Sequence, residues 1–358
     1  MPDPFLLSRA FLQFGSSDDD LLQELSAAAL TPDGHLWVSS DEYISIERLS
    51  DMGNMVYGDH TSFALGDLMA LHHPEDEVDI EGMSYNAPYL WFTGSHSHKR
   101  GKPKDKSLQD DFERLAAIKR DENRFMLGRI PLLGGSLHRT CSHPDCPNEI
   151  IHAASLPPVG DGNALTEALK EDVHIGQIVA SQLPSKDNGL DIEGLAARGD
   201  RVLLGLRGPV LRGWAILLDI LVEEIEPGVL ALKPVDEDGR LYRKHFLNLN
   251  GLGVRELCLQ GDDLLVLAGP TMALEGEMRL FRIPDLFERT QDSLLDQPDD
   301  IEVLFDLPFT IGSDHAEGLA LVPCLGQSEA LMIIYDSPDN IRRVASDAIL
   351  MDVFRLPQ

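Results

Sequence analysis

Cysteine is scarce. Four thiols in 358 residues, Cys141, Cys146, Cys258 and Cys324, are too few and too scattered for a disulfide framework. Reduced thiols in a cytoplasmic protein are therefore the expectation. Basic residues are scarce as well: 30 Lys and Arg stand against 60 Asp and Glu, a formal net charge of -30. Such a field repels phosphate backbones and anionic headgroups, which argues against nucleic acid or a membrane as partner. It attracts cations, and clustered carboxylates suit a hard ion such as calcium. Solubility alone is the plainer reading of the same charge. No run approaches the roughly 20 apolar residues of a membrane helix. The opening residues, Met1-Pro2-Asp3-Pro4-Phe5, lack the basic-then-apolar order of a secretory signal. Also missing are a phosphate-cradling Gly-x-x-x-x-Gly-Lys-Ser/Thr loop, a dinucleotide fingerprint and a Gly-x-Ser-x-Gly elbow. No nucleotide cofactor is expected.

What the chain has is a repeat. Asp191-Ile192-Glu193-Gly194-Leu195-Ala196 is followed by the turn Arg198-Gly199-Asp200 and then by Val202-Leu203-Leu204-Gly205-Leu206. Asp79-Ile80-Glu81-Gly82-Met83 leads through Asn86-Ala87-Pro88 to Leu90-Trp91-Phe92, and Glu317-Gly318-Leu319-Ala320 precedes Leu331-Met332-Ile333-Ile334. Arg255-Glu256-Leu257-Cys258 gives a fourth copy and Ser26-Ala27-Ala28-Ala29 a weaker fifth. Each copy is a short small-and-apolar strand, a tight Asp/Asn/Gly/Pro turn and an apolar strand, the grammar of a hairpin covered on both faces. A third apolar stretch follows in several copies, so each repeat predicts a four-stranded propeller blade.

The chain therefore reads as all-β, a single β-propeller domain over 1–358. Phe11-Leu12-Gln13-Phe14 is expected to seal the ring beside Met351-Asp352-Val353-Phe354, leaving no long exposed edge. Between Glu81 and Glu193 lie two blades' worth of residues, so the ring has five blades, with 100–180 an insertion-bearing blade, or six with one degenerate. The stretch lacks a further glutamate motif, which favours five. Two parts of it predict helix: 108–118, with Leu108, Phe112, Leu115 and Ile118 at helical spacing, and 163–173, with Asn163 as the cap.

In a propeller the first strand of each blade lines the central channel. That register brings Glu81, Glu193, Glu256 and Glu317 together, with Ser26 in the fifth place. Asp79, Asp191 and His315 stand two residues earlier on the same strand face. Carboxylates crowded in a channel share protons, pair with basic groups or bind a cation. Glu81, Glu193, Glu256, Glu317, Asp79 and Asp191 are thus candidate ligands for calcium or another divalent cation, which would polarise an ester, lactone or phosphate in a hydrolase-like reaction. The other reading makes each glutamate a brace accepting backbone N–H groups from the next blade, in a non-catalytic interaction scaffold. Strand-end residues Arg207, His96 and Arg342, with His315, are expected at one mouth of the channel, where a small polar ligand would bind. Cys141 and Cys146, with His138 and His152 nearby, have unspecific spacing for zinc and read as a loop with free thiols.

Residues 183–196, from Leu183-Pro184-Ser185-Lys186-Asp187-Asn188-Gly189 through Glu193-Gly194-Leu195-Ala196, resemble a known bacterial family. So do Asp79-Ile80-Glu81-Gly82-Met83 with Trp91-Phe92-Thr93-Gly94-Ser95-His96-Ser97, and Glu317-Gly318-Leu319-Ala320 with Tyr335-Asp336-Ser337-Pro338. The family is domain of unknown function 3616. The resemblance spans nearly the whole chain; it implies a propeller-type fold and supplies no catalytic residue. Over short segments the Glu-Gly-Leu-Ala pattern is also similar to calcium-dependent phytase-like and lactonase-type propellers, which bears on fold.

Overall fold

The computed structural model describes residues 5–15, 21–104 and 107–357 of the chain. The protein is mostly β and propeller-like, built from four-stranded antiparallel units that follow the repeat. The first unit is Leu25–Leu30, His35–Ser40, Ser45–Asp51 and Val56–Ala64. The second is Ile80–Asn86, Tyr89–Gly94, Leu127–Leu133 and Ala154–Ser155. Asp191–Arg198, Arg201–Leu211, Trp214–Glu226 and Tyr242–Asn248 form the third. Gly253–Gln260, Asp263–Gly269, Arg279–Ile283 and Glu302–Asp306 form the fourth. The last is His315–Cys324, Gln327–Asp336 and Ala348–Arg355, completed by the N-terminal strand Leu6–Gln13, which pairs with Ala348–Arg355. The ends of the chain meet as the sequence predicts.

The first strand of each unit packs on the first strand of the next, and His315–Cys324 packs back on Leu25–Leu30, so the inner strands close a ring. Period-two alternation fills the wedges between units. Trp37, Leu90 and Phe92 share one buried cluster between the first and second units. Trp91, one residue along, turns to the opposite side and packs with Ile192, Leu195 and Leu204. Leu203 and Leu217 face the fourth unit beside Leu257 and Val266. Burial on both faces explains why these strands read as continuous apolar runs.

The long second repeat carries the insertion. Its helices span Leu108–Ala116 and Ala164–Lys170. Asn163 caps the latter, its Oδ1 accepting from Leu165 N at 3.0 Å and Thr166 N at 3.1 Å. Leu108, Phe112 and Leu115 have helical spacing but are exposed rather than packed on the core. Cys141, in the strand Thr140–Ser142, and Cys146, in the loop that follows it, are free thiols. Among the described residues no helix is long and apolar enough to cross a membrane.

Candidate functional site

Every inner strand breaks its register at the same place. The shifts fall between Leu25 and Ala27, Ile80 and Gly82, Ile192 and Gly194, Val254 and Glu256, and Ala316 and Gly318. A β-bulge of this kind inserts one unpaired residue and re-aims its side chain. The residues inside the bulges are Ser26, Glu81, Glu193, Arg255 and Glu317. Glu256 therefore lies one position off the ring to which the sequence register assigned it, and Arg255 takes its place. Glu256 instead sits where the second and third units have Gly82 and Gly194. A Cβ at Gly82 would lie 2.8 Å from Glu193 O and 2.9 Å from Leu195 N, so the neighbouring backbone demands glycine there.

Glu256 is fully buried. Its Oε1 accepts from Leu257 N at 2.8 Å and from Leu195 N of the adjacent unit at 3.2 Å. Oε2 has no partner among the described residues. Burial raises this carboxyl well above the usual range against the pull of the two N–H groups. Glu256 braces two units and does not face the channel cavity.

Three of the bulge residues, Glu81, Glu193 and Glu317, line a cavity of about 350 Å³ at one mouth of the channel, together with Asp41, Arg207 and Asp336 at the ends of the second strands; Ser26 and Arg255 are not part of its lining. Arginines occupy much of it. Arg207 pairs with Asp191 and, through Nη1, with Glu193 Oε1 at 2.6 Å. Arg255 Nε lies 3.0 Å from Glu193 Oε2, and its Nη2 pairs with Glu317, so one guanidinium joins three successive units. Arg124 pairs with Asp79 and donates from Nη1 to Ser97 Oγ at 2.8 Å. It is delivered by the turn Glu122–Phe125. Asn123 fixes that turn, donating from Nδ2 to the carbonyls of His73 and Asp76 at 2.7 and 2.8 Å.

Three lining carboxyls, Asp41, Glu42 and Glu81, have no ion pair within 4.0 Å among the described residues. Glu42 is exposed, whereas the other two stand deeper, and Asp41 Oδ1 is buried without a hydrogen-bond partner. Burial, then Asp79 and Asp336, push Asp41 up to about 8. Burial, then Asp79 and Glu193, hold Glu81 well above the carboxylate range. Burial and Asp191 likewise raise Glu193, which the two arginines restrain to about 7. Asp41 follows Ser40, the partner of Leu25, as Arg207 follows Leu206, the partner of Ile192, and Asp336 follows Tyr335, the partner of Ala316.

The structure thus brings Glu81, Glu193, Glu317, Asp79, Asp191 and Arg207 to one cavity, and sets three other predicted residues outside it. His96 turns away in the left-handed region at φ 54°. Its Nδ1 donates to Gly94 O and its Nε2 accepts from Asn163 Nδ2, both at 2.8 Å, and burial lowers its pKa to about 4. It locks the insertion to the second unit. Arg342 is buried between Asp314 and Asp352, 2.7 Å from each, with its guanidinium 4.1 Å from the Tyr335 ring centre. It is a clamp within the last unit. His315 stands behind Asp336, Nδ1 to Oδ2 3.5 Å. The sequence reading missed Asp41 and Arg124. The strand-end position that flagged Arg207 also marks Asp41; Arg124 lies in the non-repeating insertion, where no periodic signal exists. Among the described residues no three His, Cys, Asp or Glu side chains are grouped as an ion site.

No curated protein matches the chain. Among solved structures it is similar to a virginiamycin B lyase from Staphylococcus aureus at 9% identity and TM-score 0.38, over 97% of this chain and 99% of that one. It is similar to a PQQ-bound aldose sugar dehydrogenase from Streptomyces coelicolor at 13% identity and TM-score 0.37, over 98% and 99%. A third similarity is to YCF48 bound to a D1 peptide, 8% identical with TM-score 0.33, covering 91% of this chain but 63% of that one. The model of the family described as Protein of unknown function (DUF3616) matches residues 24–352, and the chain belongs to that family.

Proposed function

We propose that the four-stranded units are five propeller blades and that the cavity at their mouth binds a small polar molecule, with Asp41 and Glu81 as its reactive wall. The observation that carries this reading is the unequal treatment of the carboxyls. Asp79, Asp191, Glu193 and Glu317 each have an arginine partner, whereas Asp41 and Glu81 have none among the described residues. A raised carboxyl facing a cavity suits proton transfer, and Asp41, at about 8, is poised near neutral pH. Hydrolysis of an ester, lactone or phosphate is the reaction class this equipment serves. A divalent cation is the competing occupant the acidic composition suggests, and the melting screen below tests it too.

The brace reading is favoured at two positions, Glu256 and Arg255, and there it holds beside the site rather than against it. A melting screen tests the proposal, because a ligand that binds only the folded state raises the midpoint. Wild type and an Asp41→Asn/Glu81→Gln variant would be melted with small polyols, sugar lactones and calcium, magnesium, manganese or zinc. A shift in wild type that the variant loses supports the cavity as the site. Shifts unchanged in the variant, or none at all, sink it.

A further inference from the structure

Lysine is unevenly placed in this acidic chain. Five of its nine lysines fall in residues 99–119, the part of the insertion that begins at the cavity. Lys99–Arg100 pairs with Ile118–Lys119 to close the base of this segment. Arg100 fastens it to the next loop, pairing through Nε with Asp187 at 2.7 Å and donating from Nη1 to Leu115 O at 2.6 Å.

Two lysines on this side of the cavity are not consumed by such pairing. Lys102 and Lys186 line it, are exposed, and have no salt bridge among the described residues. Lys99, by contrast, is paired with Glu77. Lys186 is presented by the turn Ser185–Asp187, whose Ser185 N donates to His98 O at 3.1 Å. The loop's shape is imposed at Gly189, where a Cβ would fall 1.8 Å from Leu183 O.

Free cations on the side of the second and third units thus share the cavity with the free carboxyls Asp41 and Glu81. Resting on the small-ligand reading above, we infer that the cavity selects a dipolar ligand, with an anionic group on Lys102 and Lys186 and an ammonium or guanidinium group against Asp41 and Glu81. A ligand without an anionic group leaves Lys102 and Lys186 unmatched, and one without a cation leaves Asp41 and Glu81 without the opposite charge that would favour their ionised form. A cavity of about 350 Å³ lies near the lower end of small-molecule sites, which run from about 300 to 1,000 Å³. The chemical class is therefore a small zwitterion, an amino acid or an amino-phosphate by its groups.

Titration calorimetry of the full chain with 4-aminobutanoate, 6-aminohexanoate and phosphoethanolamine tests this, with hexanoate, hexylamine and myo-inositol as controls. At least one zwitterion is expected to bind at least tenfold more tightly than every control. Lys102→Ala/Lys186→Ala, altering exposed side chains only, should erase that advantage while leaving hexylamine binding unchanged. Binding of any control as tight as that of the best zwitterion overturns the dipolar assignment and leaves the small-ligand cavity standing. A zwitterion preference that survives the lysine double variant also overturns it. Silence from all six compounds counts against the dipolar ligand, and against the small-ligand reading too if the melting screen is also silent.

Discussion

Arg255 lies between Glu193 and Glu317, with Nε 3.0 Å from the first and Nη2 paired with the second. Its guanidinium is 8% exposed, so this is an ion triad held away from water across three units of the ring. Removing the central cation strands two buried carboxylates, which is more costly than losing the pairing itself. Arg255→Met is expected to destabilise the protein by about 3–5 kcal/mol. Arg255→Lys should recover only part of this, because one ammonium cannot fork between two carboxylates. Urea denaturation midpoints of the two variants check the order.

Glu256 gives the opposite result for a conservative change. Only Oε1 is used, accepting from Leu257 N and Leu195 N, and an amide oxygen does the same. Glu256→Gln should therefore stay within about 1 kcal/mol of wild type, while Glu256→Ala leaves two buried N–H groups unpaired and costs about 1–3 kcal/mol. Equal losses in both variants would show that accepting these two N–H groups is not the whole role of Glu256.

Asp41 links stability to pH. Its folded pKa of about 8 lies above the unfolded value of 3.8. Between these values the folded state binds a proton that the unfolded chain has released, so the contribution is complete below pH 4 and is lost as pH rises through 8. The difference in melting temperature between Asp41→Asn and wild type should widen in the variant's favour from pH 5 to pH 8.5.

His96 acts with the reverse sign. Its folded pKa of about 4 is below the ordinary 6.5, so the neutral ring stabilises the fold above pH 6.5 and that contribution is lost as pH falls towards 4. A substitution unable to hold both Gly94 O and Asn163, such as His96→Ala, should lower the melting temperature at pH 7 and much less at pH 4.5.

Much of this fold was legible because the repeat is written in strands buried on both sides. Trp91 and its neighbours Leu90 and Phe92 each have a wedge to fill, so the apolar run has no polar gaps and the turn residues mark its ends. The closing strand 6–13 was legible for the same reason. The register at Arg255-Glu256 was not. A bulge shifts pairing by one residue without changing composition, and a glutamate beside an arginine looks like the glutamate of the other repeats. His96 was misplaced because a single residue at positive φ reverses which side of the strand end faces the cavity. Arg124 and Lys102 come from an insertion whose path follows from tertiary packing at Asn123 and Asp187, which no local pattern encodes.

The division between bracing and ligand-facing carboxyls makes its sharpest prediction at Glu81. A buried carboxyl without a basic partner costs stability that a functional site tolerates and a structural one does not. The thermal midpoint of Glu81→Gln at pH 8 should lie above that of wild type, while Arg255→Met falls well below it. A drop for Glu81→Gln comparable to that of Arg255→Met would contradict the division and make Glu81 one more brace of the ring.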